Sequence, residues 1–441
     1  MSNICVLVLG VVALIINLSC TSGLRSSIKP ATRPLVNKYE KEPILTQTDT
    51  LNLEQAVYLA LLKNPELQVY SFEIRAREAG TLQASFAPNP GIEIEVENFG
   101  GSGELGGLSG SEITITVGQL IEFAGKRDKR TRAAAFQSDL AAWDYEAKKL
   151  EVLTETVKRY VQLIGDQEQI VLNRELVGVS EKLFQAVNRL VQAGKISPAE
   201  ISRTQIMLST AQLELNKSIR NFAADRIRLA SLWGDTSPGY NSVAGTLKNI
   251  TIIPPADSLK RFLPANQDLM RWGTEIEFRQ VMETLEEAKQ IPDPSIQAGY
   301  RYISGPDLNA FVAGLSIPLP VSDNNEGAVQ EAYIRRKQAE EQRKQTEVLL
   351  NTHFEDLYQN LLVLHTEIDQ SNKIIIPEAE KAYRIIQDGY LTGKFRFLDV
   401  LDAQRTLFET RKNLIASLTE YNMRVADLER LIGRPLSSVD N

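Results

Sequence analysis

Apolar residues recur at seven-residue spacing through the middle of this chain. Leu150, Val157, Ile164 and Val171 form one row; after a shift in register, Leu172, Val179 and Ala186 run beside Leu176, Leu183 and Leu190. A sustained period near 3.5 residues marks helices that wind around one another rather than lie on a globular core. The 65 residues from Lys126 to Leu190, taken as one helix, span roughly 97 Å, more than a compact domain accommodates. Four shorter stretches carry a different period. Ile92, Ile94 and Val96 alternate with Glu93, Glu95 and Glu97, and Ile113, Ile115 and Val117 alternate with Thr114, Thr116 and Gly118. Further on, Ile296, Ala298, Tyr300 and Tyr302 alternate with Gln297, Gly299 and Arg301, and Phe311, Ala313, Leu315 and Ile317 alternate with Val312, Gly314 and Ser316. Period two predicts strands with one apolar and one polar face. Such strands suit a half-buried soluble sheet or a bilayer-spanning barrel. Four cannot close a barrel, so the soluble reading needs a covering layer and the membrane reading needs other subunits. Three copies supply twelve strands, an even number within the bacterial range.

The chain is written twice. Ala193-Gly194-Lys195 recurs as Thr392-Gly393-Lys394 at a separation of 199, and that offset runs without a gap until Gly234 meets Gly433. It pairs Ile201, Leu208, Leu215, Phe222 and Leu229 with Val400, Leu407, Leu414, Tyr421 and Leu428. Upstream, Pro88-Asn89-Pro90 matches Pro292-Asp293-Pro294, and Asn64-Pro65-Glu66-Leu67 matches Asn266-Gln267-Asp268-Leu269. Each copy reads helix, strand, strand, long helix, tight turn, return helix, the signature of an internally duplicated fold. The expected divisions are a signal peptide over 1–19, an anchor or linker over 20–50, a first repeat over 51–234, a connector over 235–257, a second repeat over 258–435 and a tail over 436–441. The connector is rich in Gly, Pro, Ser and Asn.

Composition narrows the function. The chain has 441 residues, 43% hydrophobic and 24% charged, as a folded protein does. A net charge of −7 offers no basic excess for a nucleic-acid partner. Cys5 and Cys20 both lie in the first twenty residues, which removes a disulfide framework or cysteine metal site from the body. His353 and His365 are twelve apart and point to different helix faces, a poor metal pair. No phosphate loop, nucleophile elbow or His-rich motif is present, so neither an enzyme nor a bound cofactor or metal is expected. Val6–Ile16 reads as a signal-peptide core, followed by Leu18-Ser19-Cys20, which resembles a lipoprotein processing site with Cys20 lipidated; the alternatives are ordinary cleavage near Ser22 or a misplaced start. No other run is long enough for a spanning helix, so membrane entry would be as a barrel.

The duplication, Asn64-Pro65-Glu66-Leu67, and Gly393-Lys394 followed by Asp399-Val400-Leu401-Asp402-Ala403 resemble the TolC-like outer-membrane efflux proteins over residues 50 to 435. The resemblance implies a mainly α fold with a membrane β-barrel: a homotrimer with four strands per protomer in a 12-stranded barrel, continued by a long coiled-coil α-helical tunnel. It implies an outer-membrane channel of a Gram-negative-type bacterium, in outer-membrane lipid, with the helices in the periplasm. The implied partners are a periplasmic adaptor and an inner-membrane pump of resistance-nodulation-division type. Gly194, Lys195, Gly393 and Lys394 then form the adaptor-contact tips. Asp399 and Asp402 form the pore constriction, where the first copy has Glu200 and Arg203, and Glu93, Glu95 and Glu97 face the barrel lumen. Gln119-Leu120-Ile121-Glu122-Phe123-Ala124-Gly125-Lys126-Arg127, with Arg130, resembles the heavy-metal (CzcC/CusC-type) members, so metal cations are the expected cargo. Cations at a helix start oppose its dipole, which makes anionic headgroups the expected partner of Lys126, Arg127 and Arg130, with a solvated charge cluster as the alternative. A coiled-coil scaffold without a channel accounts for the helices but not the strands.

Overall fold

The computed structural model describes residues 49–438, apart from 249 and 306. The expected signal peptide, with Cys5 and Cys20, lies outside these residues. In chain order the elements are β1 (Thr50–Leu51), α1 (Leu53–Lys63), α2 (Pro65–Ser85), β2 (Gly91–Glu97), β3 (Glu112–Leu120), α3 (Lys126–Gln192), α4 (Ala199–Ala230) and β4 (Ser242–Val243). There follow α5 (Ala256–Lys260), α6 (Gln267–Lys289), β5 (Ser295–Ile303), β6 (Leu308–Ser316), α7 (Glu326–Gln370), α8 (Ile376–Leu391) and α9 (Phe397–Ile432). The order helix, strand, strand, long helix, turn, return helix occurs twice, as the repeat predicts. The chain divides into two compact units, the first holding residues 72–143 and 271–343, the second holding 49–71, 144–270 and 344–438.

The first unit contains an antiparallel sheet in the order β2-β3-β5-β6. Its register places Ile94 opposite Ile115, Ile115 opposite Tyr300, and Tyr300 opposite Phe311. One face is therefore apolar across all four strands. The other carries Glu95, Thr114, Arg301 and Ala310 in one row. Small residues dominate the middle of that second face. A Cβ added at Gly299 would lie 2.6 Å from Thr116 Cγ2, so the glycine is what lets β5 sit so close to β3. The helical part of this unit has its own small core, in which Ala133, Phe136 and Leu140 of α3 meet Phe278 and Val281 of α6.

The second unit holds the main core, with Leu163 of α3, Leu229 of α4, Phe354, Leu361 and Ile368 of α7, and Tyr421 and Leu428 of α9 all fully buried. The buried seam of α3 changes register as the sequence predicts: Leu150 and Ile164 are buried, then Leu172 and Leu183. Val171, placed in the first row by spacing, is exposed, because the seam has already turned. The connector is less free than its composition suggests. Ser242 and Val243 pair in parallel with Thr50 and Leu51, and the Tyr160 hydroxyl lies 2.9 Å from the Leu51 carbonyl oxygen and 2.5 Å from that of Ala244.

The duplication extends to individual hydrogen bonds. Lys195 N–H donates to Leu190 O (2.9 Å) and Lys394 N–H to Gly389 O (2.7 Å), each across a left-handed glycine, Gly194 at φ 70° and Gly393 at φ 80°. These are Schellman helix ends. Gly234 and Gly433 close α4 and α9 in the same way. The Asn64 amide donates to Leu232 O (2.7 Å) and the Asn266 amide to Leu431 O (2.9 Å). Each asparagine also accepts a backbone N–H at the start of the next helix, from Leu67 and from Asp268. The Asn-Pro-Glu-Leu motif is thus a joint between a helix end and a helix start. The copies differ at Pro377, which lacks an N–H and cannot sit inside an undisturbed helix. The five residues Ser371–Ile375 form a π turn just before it, so α7 and α8 stand where α3 is continuous.

Candidate pore and docking sites

The sheet is polar where a soluble protein would be apolar. Ile92, Ile94, Phe311 and Leu315 are 73%, 66%, 72% and 66% exposed, whereas Thr114 and Thr116 on the opposite face are 3% and 7% exposed. Leaving that much aliphatic surface in water opposes folding at roughly 25 cal/mol per Å², so the face requires an apolar covering. Two edges, β2 and β6, also carry unpaired backbone groups.

The polar face carries four carboxylates and one guanidinium, which pairs with two of them. Arg301 is the only basic residue in the four strands. It lies 2.8 Å from Glu112 Oε2, 3.2 Å from Glu97 Oε2 and 2.8 Å from Thr114 Oγ1, tying β5 to β3 and β2. Of the three predicted lumen carboxylates, Glu97 therefore shares Arg301 with Glu112, while Glu93 and Glu95 lie exposed on the same face. Arg301 was not among the expected site residues. Its role needs the register of three strands, which spacing along the chain does not contain.

The expected headgroup contact of Lys126 and Arg130 is not what these side chains do. Lys126 is buried, 2.8 Å from Asp293 Oδ1 and 2.5 Å from Ile291 O. Arg130 forks onto Glu122 and also donates to Ala84 O (3.0 Å) and Phe86 O (3.1 Å). Asp293 accepts a further bond from Phe123 N–H (2.8 Å). The basic segment thus fastens the strand-to-helix corner, where Ala124 and Gly125 turn through positive φ of 56° and 67°. These internal partners compensate the unfavourable helix dipole.

Both tip glycines and their lysines are exposed. A Cβ at Gly194 or Gly393 would meet nothing within 4 Å, so backbone conformation alone demands glycine there. Asp399 and Asp402 both lie in the first turns of α9 but have different surroundings. An Asp399 oxygen accepts the Arg396 N–H at 2.8 Å, satisfying an orphan donor at the helix start. Asp402 lines a groove of about 750 Å³ with Arg203 and Met207 of α4 and Arg405 of α9. At the matching first-copy positions, Glu200 and Arg203 pair at 3.1 Å. Glu200 keeps one buried oxygen without a partner, and the Tyr390 hydroxyl is likewise unpartnered. Burial, and then the charge of Glu200, push that hydroxyl above its usual range. Among the described residues no cluster of three or more His, Cys, Asp or Glu is placed to hold a metal, and no helix is long and apolar enough to cross a membrane.

Two hairpins with matched ends and a sheet turned inside out define an efflux channel of the outer membrane. The chain belongs to the outer membrane efflux protein family, which it matches over residues 56–235 and 286–434. It is a transport protein of the Gram-negative outer membrane, with its helical part in the periplasm, in a family of channels rather than enzymes. It is 28% identical to the cobalt-zinc-cadmium resistance protein CzcC of Cupriavidus metallidurans, over 87% of this chain and 90% of that one. The nickel-cobalt-cadmium resistance protein NccC of Alcaligenes xylosoxydans xylosoxydans is 22% identical, over 67% of this chain and 65% of that one. Among solved structures, CusC superposes with a TM-score of 0.73 at 14% identity, covering 94% of this chain and 99% of that one. VceC of Vibrio cholerae superposes with a TM-score of 0.71 at 19% identity, over 87% and 96%.

Proposed function

We propose that three copies close a twelve-stranded barrel, continued by a tunnel of the paired helices, and that it conducts divalent metal cations out of the cell. The observation that carries this reading is the inverted sheet, exposed and apolar on one face, acidic on the other, and open at both edges. Lipid covers the first face, the pore holds the second, and β2 and β6 of neighbouring copies pair, which leaves no edge unbonded. The metal cargo is supported by likeness to metal-resistance proteins and by the excess of carboxylate on the polar face. Cargo enters from a resistance-nodulation-division pump through a periplasmic adaptor that meets the tips at Gly194, Lys195, Gly393 and Lys394. Asp399 and Asp402 narrow the periplasmic entrance, and lipid on Cys20 adds an anchor. The test is the reversal potential of single channels under a salt gradient, with zinc as the permeant divalent cation. Wild type is expected to prefer cations and pass zinc, and E93Q/E95Q to lose most of that preference. An anion-preferring wild type, or an unchanged double variant, overturns the cargo assignment.

A further inference from the structure

Away from the sheet and the tips, the hairpin of α3 and α4 contains a pair of acids that the channel function does not require. Asp166 of α3 takes the Gln162 side-chain amide on Oδ1 at 3.0 Å, and its Oδ2 is buried without a hydrogen-bond partner. The hairpin is held on either side of this point, where Arg159 donates to Arg228 O at 2.5 Å and Asn173 to Glu214 O at 3.2 Å, and Asp225 of α4 stands against Asp166. Asp225 Oδ1 takes Arg228 at 2.5 Å. Two facing carboxylates repel. The helix cannot back away. On one side Gly165 is pressed on Thr419 of α9, where an added Cβ would come within 2.4 Å of the hydroxyl oxygen. On the other, Gln167 is bonded twice to Val243, donating at 3.0 Å and accepting at 2.8 Å.

A single proton resolves this geometry, since a protonated Asp166 donates from Oδ2 to Asp225 and satisfies the orphaned oxygen. We propose that Asp166 and Asp225 share one proton, and that this carboxyl–carboxylate bond is a pH-operated latch holding α4 on α3. The charges acting on Asp166 are those of Asp225 and Arg228, both on α4. The connector presents Asn241, which accepts from Arg226 at 3.0 Å, and Tyr240, which burial keeps neutral, while α9 presents Thr419. Burial first, then Asp225, raise the Asp166 carboxyl from 3.8 to about 7, against the opposing pull of Gln162 and Arg228. A raised folded-state value means that the latch's stabilisation is fully present below pH 3.8 and is lost as pH rises through about 7, where the shared proton leaves. Acid therefore tightens this hairpin and alkali loosens it. The second hairpin has no such pair, because Arg424 stands 199 residues after Asp225 and bonds Glu420 at 2.6 Å.

The test is hydrogen exchange of the α4 amides around Asp225 in the full-length channel, corrected for intrinsic rate, in wild type, D166N and D225N. Wild-type protection is expected to fall about ten-fold between roughly pH 6 and 8. Either amide keeps donating whatever the pH, so both variants should give a flat profile. A flat wild type, or variants that follow its slope, overturns the latch. Infrared spectroscopy supplies a readout independent of helix stability. Wild type should show a protonated-carboxyl band that fades as pH rises through about 7 and that D166N lacks, and absence of that band from wild type contradicts the shared proton.

Discussion

Single residues divide here by whether their partners lie nearby in sequence. The tip glycines were legible, because a glycine repeated 199 residues apart between two apolar rows has few uses besides a left-handed helix end. The basic corner was not. Lys126 and Arg130 read as surface cations until Asp293, 167 residues later, and the carbonyls of Ala84, Phe86 and Ile291 come into place. Asp166 and Asp225 were silent for the same reason. Asp399 and Asp402 look equivalent in sequence, yet only Asp399 closes a backbone donor. Asp399→Asn keeps an acceptor for Arg396, whereas Asp399→Ala should cost about 1 kcal/mol of helix-start stability. If both line the constriction as proposed, Asp399, with one oxygen committed to a backbone N–H and Arg396 3.6 Å away, is expected to contribute less field than Asp402. In planar bilayers D402N is expected to lower cation preference more than D399N. If neither variant changes selectivity in a correctly assembled channel, these carboxylates lie outside the constriction.

At the scale of elements, period decided almost everything. Strict alternation over β2, β3, β5 and β6 named both faces of the sheet before any pairing was known, and the register aligned those faces. Seven-residue spacing likewise announced α3, expected over 65 residues from Lys126 to Leu190 and found over 67. What period could not reach were elements too short to have one. β1 and β4 are two residues each, and their pairing inside an apparent linker is invisible to any pattern. The π turn had only Pro377 as its sign. The helix tips offer a clean separation of fold from docking, since Gly393 meets no neighbour and its φ of 80° is the whole constraint. Asparagine tolerates that conformation, whereas β-branched valine is strained there by about 1–2 kcal/mol. Gly393→Asn should keep both channel assembly and metal export in cells, while Gly393→Val should leave channels in the membrane and abolish export. Normal export with valine removes the tip from the adaptor contact.

For the whole molecule, the polar and apolar faces of the sheet fit the proposed closure by other copies. A protomer alone exposes Ile92, Ile94, Phe311 and Leu315 while burying Thr114 and Thr116, an arrangement that water disfavours and a bilayer favours. Arg301 fits the same picture, holding three strands together from the polar face. The most direct measurement is thiol accessibility in single channels, with cysteine placed at the adjacent positions 94 and 95. A charged, membrane-impermeant thiol reagent added to Glu95→Cys channels is expected to step the current down, and Ile94→Cys channels should not respond. A response at position 94 with none at position 95 would contradict the account, because it would turn the sheet the other way round.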